Sequence, residues 1–279
     1  MRRLCWVVLL CVSSVAAAAA PASARAPRIL SLAPNLTEIA YAAGAGGLLV
    51  GTVDYSDYPA AARQLPRVGD AWRVDVERVL ALRPDLVLSW ASGTPEDTVA
   101  RLRSMGLHVV PIETFRLADV SAALRTIRQI AGTVQVADAA ARRYEDAVRS
   151  LRASHADVRR LSVFIEIDDE PLYTVNGRHV ISEVVELCGG GNVFADLPQL
   201  APPVALEAVL ARDPEVILST DDTISDPGRL WRPWTRLQAV RSGTIYSLNS
   251  DTLTRATPRL AEGARAVCAA LDDARNKGK

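Results

Sequence analysis

Aromatic side chains are scarce in this chain, 5% of its residues, so their placement is informative. Tyr55 and Tyr58 lie in one predicted loop, and Trp72 stands just before a predicted helix. Trp90 directly follows a predicted strand, and Tyr173 follows the first strand of the second half. Most of these rings fall at strand ends, where α/β proteins hold their ligands. A single ring there packs a loop edge. Several, drawn from both halves of the chain, suit a flat apolar ligand stacked on aromatic surfaces. Asp251 and Arg255, four positions apart after the last predicted strand, can pair with each other or meet polar groups of such a ligand.

No catalytic constellation accompanies the rings. The chain has no Walker A lysine motif, no GxSxG and no HExxH, and no catalytic residue is predicted. The glycine run at 44–47 has leucine where a dinucleotide-binding GxGxxG needs its last glycine. It also follows a predicted helix and precedes a strand, so it reads as a helix stop. His108, His155 and His179 are scattered over a strand, a helix and a loop, and predict no metal site. Lysine and arginine together number 32, as do aspartate and glutamate. That balance lacks the basic footprint of a nucleic-acid binder, and no nucleic-acid partner is expected.

The elements that must position these residues carry an internal repeat. The stretch from Glu77 to Trp90 is echoed by the stretch from Glu207 to Thr220. Each copy opens a short helix with a glutamate, stops it before Pro84 or Pro214, and continues into an apolar β-branched run suited to a buried strand. A repeat spaced by half a chain predicts two similar lobes with a cleft between them, not a solenoid. Strands at 28–32, 48–53, 86–89 and 107–112 alternate with helices, and the alternation restarts at 161–167. Parallel β-α units follow from that order. Asn35, with Glu38 three positions on, reads as a capping pair for the first helix. The run at 188–192 reads as the stop of the helix at 180–187. Between the halves, 135–158 holds no glycine or proline and keeps helical spacing at Val136, Ala139, Ala140, Tyr144 and Val148. It predicts one rigid helix, since a flexible linker would be rich in glycine, serine or proline. The expected architecture is α/β, with two Rossmann-like lobes at 25–132 and 160–279 joined by a single long helix at 133–159.

Residues 1–24 read as a cleaved signal peptide. Arg2 and Arg3 precede an apolar stretch that ends in the small-residue pattern Ala22-Ser23-Ala24. Ser13, Ser14 and Pro21 interrupt the stretch, which is short for a membrane span, and Leu10 before Cys11 argues against a lipoprotein. Removal of Arg2 and Arg3 leaves a slight acidic excess. Cys5 and Cys11 leave with this segment. Cys188 and Cys268 remain, and in an oxidising compartment a disulfide between them is expected, two buried thiols being the alternative. Closing so long a loop would contribute about 4 kcal/mol in the chain-entropy description.

Several of these stretches together carry a resemblance. They are Tyr55-Ser56-Asp57-Tyr58-Pro59, the Glu77 and Glu207 helices, Trp90, Cys188-Gly189-Gly190 through Asn192-Val193-Phe194, and Ser250-Asp251 with Arg255-Ala256-Thr257-Pro258-Arg259. The chain from about residue 27 onward resembles the cobalamin-binding members of the helical-backbone periplasmic substrate-binding family, whose other members carry siderophores and haem. The resemblance implies a periplasmic protein, monomeric when free, with little hinge motion and its ligand in the cleft. It implies Tyr55, Trp72, Trp90, Tyr173, Asp251 and Arg255 around cobalamin or a related corrinoid. It also implies Glu77 and Glu207 as docking residues for the membrane subunits of an ABC importer; the bare physical alternative is favourable charge at a helix N-terminus. One departure stands out. The family's tryptophan six positions before the second docking glutamate is Ala201 here, and Trp72 sits about one place off register. A different corrinoid such as cobinamide, or compensation by Trp231 or Trp234, would follow. A ferric siderophore would call for a cluster of basic cleft residues, and haem for an axial histidine or tyrosine. An exported α/β enzyme would need a convergent nucleophile and base or a metal set.

Overall fold

The computed structural model describes residues 25–220 and 226–278; the predicted export segment at 1–24 lies outside the described residues. The first lobe is a parallel sheet of β1 (Ile29–Ser31), β2 (Leu49–Gly51), β3 (Leu86–Trp90) and β4 (His108–Ile112), in the order β2-β1-β3-β4. Its helices are α1 (Pro34–Ala42), α2 (Val76–Ala81), α3 (Glu96–Ser104) and α4 (Leu117–Ala131). After α5 (Val134–Ser154) the second lobe begins with β5 (Leu161–Glu166) and a short antiparallel hairpin, β6 (Asp168–Asp169) and β7 (Leu172–Tyr173). It continues through α6 (Val180–Leu187), β8 (Gly190–Asn192), α7 (Leu206–Arg212), β9 (Val216–Ser219), α8 (Gln238–Ser242), β10 (Ile245–Ser247), α9 (Ser250–Leu253) and α10 (Leu260–Lys277). The second parallel sheet has the order β10-β9-β5-β8. Each lobe therefore sets its first strand between its second and third, with the fourth outside.

The sequence repeat is a structural repeat. Glu77 and Glu207 sit in the first turns of α2 and α7. Both helices are followed by a non-glycine residue in the left-handed region, Arg83 at φ 47° and Asp213 at φ 40°, each just before its proline. Proline disfavours the right-handed helical conformation in the residue before it, so the helix turns out of its path there. The chain then enters the sheet beside the lobe's first strand, with Leu86 against Ile29 and Val216 against Val163.

α5 belongs to both cores. Ala137, Ala140 and Ala141 pack with Ile39, Leu124 and Ile127 in the first lobe. Tyr144, with Ala147, Val148 and Leu151 beside it, packs with Leu161 and Leu271 in the second. The Tyr144 hydroxyl donates to the Leu117 carbonyl at 3.0 Å, tying α5 to the start of α4. The helix ends at Ser154, four residues before the predicted end, because His155 already leaves helical geometry as the cap.

Two local expectations are corrected. Pro34, not Asn35, opens α1 after the cap residue Ala33. The Asn35 amide instead donates to Thr114 Oγ1 at 2.8 Å, and Glu38 makes no cap. The glycines after α6 do end that helix, with Gly189 at φ 74°, but Gly190–Asn192 then runs on as edge strand β8 against β5. Cys188, which caps α6, is bonded to Cys268 in α10, with Cα atoms 4.8 Å apart. The first helix of the second lobe is thereby fastened to the last.

Glu38 serves a longer-range purpose. Its carboxylate is 2% exposed and lies in the first lobe, yet its partners come from the segment after α9. Arg259 reaches it through two hydrogen bonds, Nε to Oε1 at 2.8 Å and Nη2 to Oε2 at 2.7 Å, and Thr257 Oγ1 donates to Oε1. The Arg259 guanidinium also stacks 3.9 Å from the centre of the Tyr58 ring. Breaking one side of a buried ion pair strands a charge at a cost of about 3–5 kcal/mol. Arg259→Met should therefore lower the unfolding free energy by about 3 kcal/mol in urea titrations. Arg78→Met at the exposed Asp75 pair should cost under about 1 kcal/mol. Equal losses in the two variants would show that the buried pair does not hold the lobes.

Candidate ligand-binding cleft

The strands of the first lobe end at a cavity of about 290 Å³ between the lobes. The first lobe reaches it with Pro34 and Asn35 just past β1, Tyr55 past β2, Trp90 at the end of β3, and Thr114 and Phe115 past β4. Every one lies at a carboxyl end, where parallel sheets with crossover helices leave an open crevice. The second lobe contributes His179 and Val180 at the start of α6, Leu200 in the loop after β8, and Thr254, Arg255 and Ala256 after α9.

Of the residues expected around a ligand, Tyr55, Trp90 and Arg255 line this cavity. Trp72, Tyr173 and Asp251 do not. Trp72 is 70% exposed on a separate turn, where Asp70 Oδ1 accepts from the Trp72 and Arg73 amides. Tyr173 ends the hairpin and bridges to Pro203. Asp251 stands behind Arg255, its carboxylate 3.0 Å from Nη2. Trp231 is wholly buried, packs edge-on against Phe164 and donates its indole N–H to Glu166 at 2.6 Å. Trp234 lines a different depression with Leu210 and Leu237. Neither stands in for the missing tryptophan at the exposed Ala201, and Leu200 lines the cavity instead. The tyrosine, tryptophan and phenylalanine rings thus come from one lobe: Tyr55, Trp90 and Phe115 share the cavity with an aliphatic and polar wall from the other. Phe115 was findable, since it lies just past the fourth strand as Trp90 lies at the end of the third. Leu200 and His179 had no sequence signal apart from the fold.

Trp90 is held in place. Its indole Nε1 donates to Glu113 Oε1 at 3.3 Å, and the same oxygen accepts from Ser92 Oγ at 2.9 Å and the Thr114 amide at 2.8 Å. The ring lies so close to Gly93 that an added Cβ there would stand 1.9 Å from Cε3, so glycine is required by the ring's position. Tyr55 is in the left-handed region at φ 63°, a conformation that costs about 1 kcal/mol or more and persists only where its surroundings impose it. Here the hydroxyls of Thr37, Thr52 and Ser56 form a buried network beneath the loop. Arg67 also ties the loop, donating to the Val53 and Ser56 carbonyls at 3.0 and 2.9 Å.

The cavity offers no spare positive charge among the described residues. Its guanidinium, Arg255, is engaged by Asp57 of the first lobe at 2.6 Å and by Asp251. Burial acts to raise the Asp57 pKa, but the Arg255 hydrogen bond and charge outweigh it and hold the carboxyl below its ordinary value. His179 is neutral. Its Nδ1 accepts from the Ile181 amide at 3.2 Å, and burial lowers its pKa from 6.5 to about 4. Among the described residues no group of three or more histidine, cysteine, aspartate or glutamate side chains could hold a metal ion.

A histidine whose folded pKa is depressed favours its neutral form, so the unfolded chain takes up the proton first. The stability from His179 is complete above about pH 6.5 and is lost as the pH falls from there toward 4. His179→Asn keeps a cap acceptor and removes the titration. Between pH 7.5 and 5 this variant should lose about 1–2 kcal/mol less unfolding free energy than the parent in urea titrations. Parallel losses would separate His179 from the acid sensitivity.

Comparison with known proteins agrees with this geometry. Residues 29–252 match the family described as periplasmic binding protein. A vitamin B12-binding protein of Vibrio cholerae serotype O1 is 36% identical over 247 residues, 88% of this chain and 89% of that protein. The crystal structure of the periplasmic vitamin B12 binding protein of Vibrio cholerae superposes with a TM-score of 0.84, covering 90% of this chain and 98% of that one at 36% identity. A periplasmic haem binding protein of the same organism gives a TM-score of 0.76 at 20% identity, covering 88% and 98%, which is a likeness of fold alone. With its two parallel-sheet lobes, a helix shared between them and a cleft between the lobes, this chain belongs to the periplasmic binding protein family.

Proposed function

We propose that this protein is the periplasmic solute-binding component of an ABC importer, that it captures cobalamin or a related corrinoid in the interlobe cleft, and that it delivers it to the membrane subunits. One observation carries the choice of ligand: the cavity sets Tyr55, Trp90 and Phe115 against a wall whose arginine is already neutralised by Asp57 and Asp251. Such a site suits a large flat ligand with many neutral polar groups. An anionic siderophore would need free cations to replace its lost hydration, and Arg255 can serve only by giving up a carboxylate. At about 290 Å³ the cavity is small for a whole corrinoid, so the ligand stacks partly on the open rim, where Tyr55 is 78% exposed. The work is binding and not bond chemistry, in keeping with relatives named as binding proteins.

Calorimetric titration with cyanocobalamin, dicyanocobinamide, haemin and a ferric hydroxamate tests this. Both corrinoids should bind, and Trp90→Ala should weaken them by about 1–3 kcal/mol through lost ring contact. Binding of haemin or the hydroxamate in preference to either corrinoid would replace the reading with the corresponding carrier of the same fold.

Glu77 and Glu207 support the delivery half of the reading. Both are exposed, make no ion pair among the described residues, and occupy equivalent places in the two lobes. Neither lines the cavity. Two equivalent charges, one per lobe, suit seating on a partner with two equivalent subunits, since interfacial charges steer encounter and fix register. The double variant Glu77→Arg with Glu207→Arg should bind ligand as the parent does and support little uptake in a reconstituted importer. Lost ligand affinity with preserved uptake would place these glutamates in the site.

A further inference from the structure

The second-lobe wall of the cleft is poor in polar groups that a ligand could use. Val180, Leu200 and Ala256 carry no polar side-chain atom. Arg255 is held by two carboxylates, and Thr254 Oγ1 donates to the Ser250 carbonyl at 2.8 Å. His179 is different. Its Nδ1 lies 3.2 Å from the Ile181 amide nitrogen, and a backbone amide only donates, so Nδ1 carries the lone pair. A neutral imidazole has one proton, which must then sit on Nε2. Nε2 has no hydrogen-bond partner among the described residues, while the ring lines the cavity.

Resting on the corrinoid reading above, we infer that His179 is a ligand-binding residue of the cleft: Nδ1 caps α6, and Nε2–H donates to an oxygen acceptor of the corrinoid, either a side-chain amide carbonyl or the phosphodiester. The two tasks reinforce each other. Capping fixes the tautomer and the ring orientation, and burial keeps the ring uncharged, so the donor is present before the ligand arrives. The same tautomer selects against a haem iron. Axial ligation needs a lone pair on the free ring nitrogen, and supplying one at Nε2 would move the proton to Nδ1, against the Ile181 N–H. The cleft then keeps a donor for neutral and phosphate oxygens in a place where a haem carrier could have used an imidazole ligand.

His179→Asn separates the tasks, because asparagine caps helices well through Oδ1 but lacks the reach of Nε2. Its melting temperature should stay near that of the parent while cyanocobalamin binding weakens about three- to tenfold in calorimetric titration, the range for one lost hydrogen bond. His179→Gln, which can present an amide N–H farther out, should recover part of that affinity even if it melts lower. An equal loss with dicyanocobinamide assigns the acceptor to a ring amide, whereas a loss confined to cyanocobalamin assigns it to the phosphodiester. If the parent binds corrinoids and the asparagine variant binds them equally well, His179 is a cap alone and this inference is overturned. It is overturned too if the asparagine variant is too unstable to titrate and the glutamine variant binds no better than His179→Ala. If the parent binds no corrinoid, the proposed function fails and takes this inference with it.

Discussion

The structure turns on a carboxylate that cannot stand alone. Glu38 is buried in the first helix of the first lobe, and an ionised carboxylate in that position needs a charge partner and several donors to remain there. Both the partner and the donors belong to the other lobe. Arg259 and Thr257 extend from the segment that follows α9, and the Tyr58 ring closes over the guanidinium. The same segment carries Arg255 to Asp57. A second crossing joins α6 to the start of α4, where Glu183 accepts from Arg116 at 3.2 Å and from the Leu117 amide at 2.9 Å. The lobes are thus fixed to each other by directional contacts at separate places, and the cavity between them is built before any ligand enters.

Rigidity of this kind has a consequence for binding. A cleft that must close around its ligand spends part of the contact energy on ordering itself, whereas a prebuilt one does not. The shared helix points the same way. α5 is packed into one core through its alanines and into the other through Tyr144, so one lobe can swing on the other only by bending a continuous hydrogen-bonded helix between these anchors.

The cleft is also unequal in its two walls. Rings on one side offer flat contact, and Glu113 and Gly93 hold the Trp90 indole where it stands. Side chains on the other side are short or aliphatic apart from His179 and the engaged Arg255. A planar ligand seated here would stack on the first lobe and be oriented by the second. With alanine at 201, no tyrosine, tryptophan or phenylalanine of the second lobe is among the described residues lining the cavity. Discrimination among related ligands then falls to hydrogen bonds rather than to a second ring.

Much of this was legible in the sequence, and what was legible has a common cause. Local patterns determined the elements: β-branched runs ended by proline, a long stretch free of glycine and proline, and a repeated helix-to-strand phrase that became the same strand order in both lobes. Periodicity and turn chemistry act over a few residues, and a linear chain states them directly. Tyr55 and Trp90 were expected near the cleft because strand ends are positions that periodicity itself marks, and both line the cavity. The rest depended on distance in space. Asn35 and Glu38 had the spacing of a capping pair, yet tertiary partners at Thr114 and Arg259 claimed both side chains, because a buried polar group takes the partner that satisfies it and not the nearest in sequence. Trp231 had the composition of a cleft wall and became core, since Glu166 offered its indole a buried acceptor. The role of His179 follows from one amide proton two residues on and a cavity assembled from both lobes. Sequence determined which elements form and where they end; only the packing of one lobe against the other decided which side chains were left facing a ligand.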